Sequence, residues 1–77
     1  MEQEITLTLS KEHALVLFEF LSRFNQDEHK EIFEDQSEEK MLWILEGQLQ
    51  SILVEPFMPD YLDIILDARN KTRDEEN

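Results

Sequence analysis

Only one segment of this chain has the two-residue period of a β-strand. Apolar Ile5, Leu7 and Leu9 alternate with threonines, a pattern typical of a strand with one buried face. A strand cannot satisfy its own backbone hydrogen bonds, and an unpaired edge invites pairing with another chain. The sequence therefore predicts a strand over about residues 4–9 that needs a partner.

Two partners for this strand remain open. The connector at residues 54–58 could pair with it, although Pro56 would restrict that pairing to an edge position. Alternatively, the strands of two copies pair antiparallel and form a symmetric homodimer. We favour the homodimer, with Ile5, Leu7 and Leu9 in the contact.

The rest of the chain has the period of amphipathic helices. Ser10 is suited to cap a first helix, and Asp35 with Glu38 resembles a capping box before a second. Pro59 suits the first turn of a third. The predicted helices span about residues 11–25, 36–53 and 59–74. The expected fold class is mainly α, a single 77-residue domain in which a short N-terminal strand precedes three helices.

The helical stripes leave three apolar residues without an obvious place in the core. The apolar residues of the first helix cover a wide arc, which is typical of a central helix that packs on more than one side. Leu15 points nearly away from this arc. Trp43 and Ile44 fall outside the main stripe of the second helix, and tryptophan is enriched in binding hot spots. We therefore expect Leu15, Trp43 and Ile44 to contact a partner, unless Phe33 or the connector covers the last two.

The charge of the chain restricts its partners. Nineteen acidic residues against seven basic ones give a formal net charge of −12. Nucleic-acid binding depends on lysine and arginine displacing counterions from phosphates, and anionic membrane surfaces repel such a chain. We expect no nucleic-acid or membrane partner; the charge either keeps the domain soluble or steers it towards a basic protein.

The sequence offers little for catalysis. With Gly47 as its single glycine, it has no phosphate-cradling loop or nucleophile elbow. Residues 27–38 have acidic residues at calcium-loop spacing, but Ile32 occupies the position that requires glycine. His13 on an apolar arc and His29 in a charged loop suit structural and surface roles. We therefore predict no enzymatic activity, no cofactor and no metal site.

The compartment follows from what the chain lacks. It has no cysteine, and its first four residues include two glutamates, unlike the basic start of a signal peptide. Apolar runs are shorter than a membrane span requires. We expect a cytoplasmic protein.

Three stretches carry a resemblance to other proteins. They are Leu9 to Glu12 running into Ala14 to Leu21, Phe33 to Gln36 leading to Leu42-Trp43, and Val54 to Phe57 with Pro59 to Tyr61. Together they resemble a group of short uncharacterised bacterial proteins, and the resemblance covers nearly the whole chain. It implies a bacterial origin and no particular activity.

These observations favour a non-enzymatic, acidic protein–protein interaction module. The alternative is an acidic immunity protein or antitoxin-like inhibitor that neutralises a basic partner by charge complementarity.

Overall fold

The structure, a computed structural model, describes residues 3–74. Helix α1 spans Lys11–Phe24, α2 spans Gln36–Ile52 and α3 spans Tyr61–Asp74, with short 3₁₀ turns at Lys30–Ile32 and Glu55–Phe57. The predicted mainly helical character is confirmed, and every helix end lies within two residues of its predicted position.

Local sequence signals explain where the first two helices begin. Ser10 caps α1, because its hydroxyl oxygen accepts the backbone N–H of His13 at 3.1 Å. Asp35 caps α2, because its carboxylate accepts the backbone N–H of Ser37 at 2.8 Å. The Glu38 carboxylate accepts the backbone N–H of the residue before the cap at 2.9 Å. The capping box is therefore shifted by one residue from its usual pairing.

Helix α3 begins two residues later than predicted. Pro59 and Asp60 form a turn, and the Asp60 carbonyl accepts the backbone N–H groups of Asp63 and Ile64, both at 3.1 Å. Asp60 thus accepts the first hydrogen bonds of α3, although it precedes the helix. Pro59 precedes the helix rather than lying in it.

Helix α1 lies at the centre and packs against both α2 and α3, as its wide apolar arc predicts. The Tyr61 hydroxyl at the start of α3 donates to the Glu19 carboxylate of α1 at 2.9 Å. The buried core draws on all three helices and the connector after α2: Leu15, Phe18, Leu21, Leu49, Leu53, Ile65 and Ala68. Both outer helices depend on α1 for most of their packing.

The predicted N-terminal strand is wrong. Residues 3–10 have no regular secondary structure, and no strand is present anywhere in residues 3–74. Ile5 and Leu7 are 88% and 82% exposed, and Leu9 is 43% exposed. The connector that might have paired with this segment forms a 3₁₀ turn at Glu55–Phe57 instead, so it offers no extended backbone edge. A two-residue period becomes a strand only where another backbone supplies the hydrogen bonds.

The placement of Leu15 is also corrected. It is 2% exposed and belongs to the core, on the side of α1 that faces Ile64 and Ala68 of α3. Because a central helix is covered on more than one side, α3 buries Leu15 although this residue lies outside the main apolar arc of α1. Leu15 therefore does not belong to any exposed contact surface.

Candidate functional site

From Met41 onwards, the exposed side of α2 has almost no charge. Although a third of the chain is charged, residues 41–54 contain a single charged residue, Glu46. This residue is half-buried, and its carboxylate accepts the side-chain N–H of Asn25 at 2.8 Å. The same Asn25 amide lies 3.4 Å from the carbonyl of Leu42. The one charge of this stretch is therefore directed at the C-terminal end of α1, and the solvent side of α2 is uncharged from Met41 onwards.

Several large apolar side chains lie on this side of α2. Trp43 is 52% exposed, Ile44 41% and Ile52 74%. At about 100° per residue, Ile44, Gln48 and Ile52 follow one another at four-residue spacing and form a continuous row. We call these three residues the α2 ridge. Trp43 lies about 100° from Ile44 and faces a different direction.

Trp43 borders an acidic surface. An open depression of about 440 Å³ is lined by Asp35, Gln36, Ser37, Glu39, Lys40 and Trp43. The region that leads into α2, residues 27–39, contains seven acidic residues and one lysine. Hydrogen bonds from the Ser37 side chain and backbone hold the pKa of Asp35 below its usual value. This aromatic ring is thus near the Asp35 carboxylate, whose ionised form is stabilised by hydrogen bonds.

The structure gives the predicted contact residues different surroundings. Ile5, Leu7 and Leu9 are exposed on the irregular N-terminal segment. Trp43 and Ile44 are exposed on two faces of α2, and neither Phe33 nor the connector buries them.

Sequence reasoning missed other exposed apolar residues. The helical apolar period favours burial of Met41 and Ile52 in α2 and of Leu62 and Leu66 in α3, yet all four are exposed. The reason is that α2 and α3 each pack mainly on α1 rather than on one another. The even spacing of the α2 ridge was a signal in the sequence that could have identified a second apolar face.

The histidines have ordinary structural surroundings. The His29 ring stacks on Phe24 with centroids 4.0 Å apart and an angle of 12°, so it packs against the end of α1 rather than standing in solvent. His13 is half-buried in the first turn of α1. Within residues 3–74, no three histidine, aspartate or glutamate side chains are arranged to hold a metal ion.

Two further findings complete the description. In the described part of the chain, no helix combines the length and apolar character needed to cross a membrane. Comparison with protein-family models, curated proteins and solved structures found no match to this chain.

Proposed function

We propose that this chain is a non-enzymatic protein–protein interaction module that binds through the exposed side of α2. The observation that carries the proposal is the absence of charge on that side in a chain whose net charge is −12. Exposed apolar area that serves no partner favours aggregation, and contiguous patches of it typically mark interaction sites. The setting that we propose is a bacterial cytoplasm, on the basis of the sequence resemblance and the lack of cysteine.

The shapes of the surface depressions support binding rather than catalysis. The three described depressions are open to solvent, with volumes of about 230, 310 and 440 Å³. General acid–base chemistry needs a carboxyl or imidazole group in a water-excluding pocket that shifts its pKa. Carboxyl groups at open surfaces remain ionised and suit electrostatic recognition instead.

A second function is favoured by the surroundings of Trp43. An arginine or lysine of a basic protein could stack on the Trp43 ring and pair with Asp35 or Glu39 in the adjoining depression. This arrangement supports the alternative of an acidic immunity protein or antitoxin-like inhibitor. Its association would be fast and would weaken steeply with salt.

Affinity capture from a lysate of the native host tests the proposal with matched variants. Ile44→Lys and Trp43→Ala each change one exposed face of α2, and Leu62→Lys makes the same change as the first on an exposed position of α3. We expect the wild type and Leu62→Lys to retain a protein that at least one α2 variant loses. Identical capture by all four proteins would contradict the proposal.

Salt dependence separates the two functions. If the inhibitor function is right, Trp43→Ala should lose the captured protein and raised salt should release it. If the uncharged side of α2 carries the contact, Ile44→Lys should lose it and salt should have little effect.

A further inference from the structure

The α2 ridge has an internal symmetry that suits a particular partner. Ile44 and Ile52 each lie four residues from Gln48, and all three side chains are exposed on one side of the helix. Rows of four-residue spacing are the ridges that pack most commonly between helices. A two-fold axis at Gln48 would therefore place Ile44 of each copy against Ile52 of the other.

We propose that two copies of this chain pair antiparallel across the α2 ridge. The inference rests on the proposed interaction function and names the partner at the same surface. The primary carboxamide of Gln48 has both a donor and an acceptor, so two such groups at a two-fold axis can hydrogen-bond to one another. The pairing is isologous, with the same patch contributed by both protomers.

Charge argues for a second copy rather than an unrelated protein at this face. Two chains of −12 repel each other wherever carboxylates meet. Across the ridge no carboxylate meets another, because Glu46 is turned towards Asn25 at 2.8 Å. A basic partner would gain nothing electrostatically from this uncharged side and would bind more favourably at the acidic surface near Trp43.

The available area sets the strength of the pairing. Met41 and Ile52 are 57% and 74% exposed and lie on the same side of α2 as Gln48. With the polar residues between them, two copies would bury roughly 1,000 Å², at the lower limit for a specific interface. We expect a dissociation constant in the micromolar range.

Salt provides a signature of self-association. Screening weakens the repulsion between two acidic protomers while leaving apolar contacts intact. The dimer should therefore become tighter as salt is raised. A complex with a basic protein responds in the opposite direction.

Sedimentation velocity over about 5–500 µM tests the pairing. The wild type should pass from monomer to dimer in this range, and the double variant Ile44→Lys, Ile52→Lys should weaken association about tenfold or more. The two substitutions lower the net negative charge of each protomer, so a loss of association would come from the ridge itself, where lysines replace apolar contacts and face one another. Leu62→Lys, which makes the same change on exposed α3, should leave the dimer intact.

A cross-link tests the register. Because the chain has no cysteine, Gln48→Cys introduces a single thiol close to the two-fold axis, where mild oxidation should form an intermolecular disulfide. Ser37→Cys is the matched control on the same helix. Eleven residues separate these positions, so two Ser37→Cys thiols would be about 33 Å apart in the dimer and should not react.

The outcomes separate this inference from the proposed function. A monomer throughout the concentration range, or equal cross-linking of the two cysteine variants, would overturn the α2 dimer. So would a dimer that is lost with Ile5→Lys, Leu7→Lys and kept with the ridge variants, because the contact would then lie in the N-terminal segment. Captured proteins that depend on α2 would uphold the interaction function even if the second-copy pairing failed.

Discussion

Replacement of Gly47 by alanine should stabilise the protein. Gly47 lies inside α2, is exposed and does not have a positive φ. Apart from its two neighbours and the adjacent backbone of α2, a Cβ atom at this position would meet no atom of the described chain within 4 Å. The alanine methyl therefore causes no clash in the protomer and removes backbone freedom from the unfolded chain. We expect the full propensity difference of about 1 kcal/mol, which corresponds to roughly 4–8 °C in melting temperature for a domain of this size.

Urea unfolding followed by far-ultraviolet circular dichroism measures this gain, at a protein concentration where sedimentation shows the wild type to be monomeric. Gly47→Ser is the control, because serine has an intermediate helix propensity and should give about half the effect. An unchanged or lowered midpoint for Gly47→Ala would refute the reasoning. It would mean that the space beside Gly47 is occupied by another part of the protein or that α2 does not contribute to the cooperative fold.

Three further predictions concern the core and its polar links. Leu21→Ala, at a position 1% exposed, should cost about 2–5 kcal/mol in urea unfolding; a loss below 1 kcal/mol would contradict the described core. Burial and the hydrogen bond to Glu19 raise the pKa of Tyr61, so its contribution to stability should be lost as the pH rises above about 10. Tyr61→Phe should lower the free energy of unfolding by about 1 kcal/mol at neutral pH and reduce the loss of stability at alkaline pH. An unaltered dependence of stability on pH would refute the contribution of the Tyr61–Glu19 hydrogen bond. Hydrogen bonds from Ser37 lower the pKa of Asp35, so its contribution is present at neutral pH and lost as the pH falls below about 4. Asp35→Asn should reduce the fall of the melting temperature at acid pH. Equal pH dependence for the wild type and the variant would argue against this contribution of Asp35.

The helices could be predicted because their signals are local. The side-chain oxygens of Ser10 and Asp35 cap the first two helices within the same few residues that signal them. The three-helix order needs no knowledge of packing. These local signals were therefore enough to place every helix end to within two residues.

The errors come from interactions between distant parts of the chain. Whether residues 5–9 form a strand depends on a second backbone, and the described chain supplies none. Whether Leu15 or Ile52 is buried depends on which helix is central, because α1 covers two neighbours and α2 only one. Trp43 and Ile44 could be predicted as candidates because they lie outside the main apolar stripe, whereas the exposure of both faces depends on how α2 is rotated about its axis by its contacts with α1.

One polar pair contributes to the rotation of α2 about its own axis, and this role can be tested. The Asn25 amide donates to the Glu46 carboxylate at 2.8 Å. Asn25→Asp, which keeps the shape, would place two carboxylates together at the end of α1 and should destabilise the protein by about 1–2 kcal/mol. Adding Glu46→Gln should restore most of this loss, because the new amide can donate to the aspartate. A double-mutant cycle in urea measures the coupling, and additive losses without rescue would show that the pair does not orient α2.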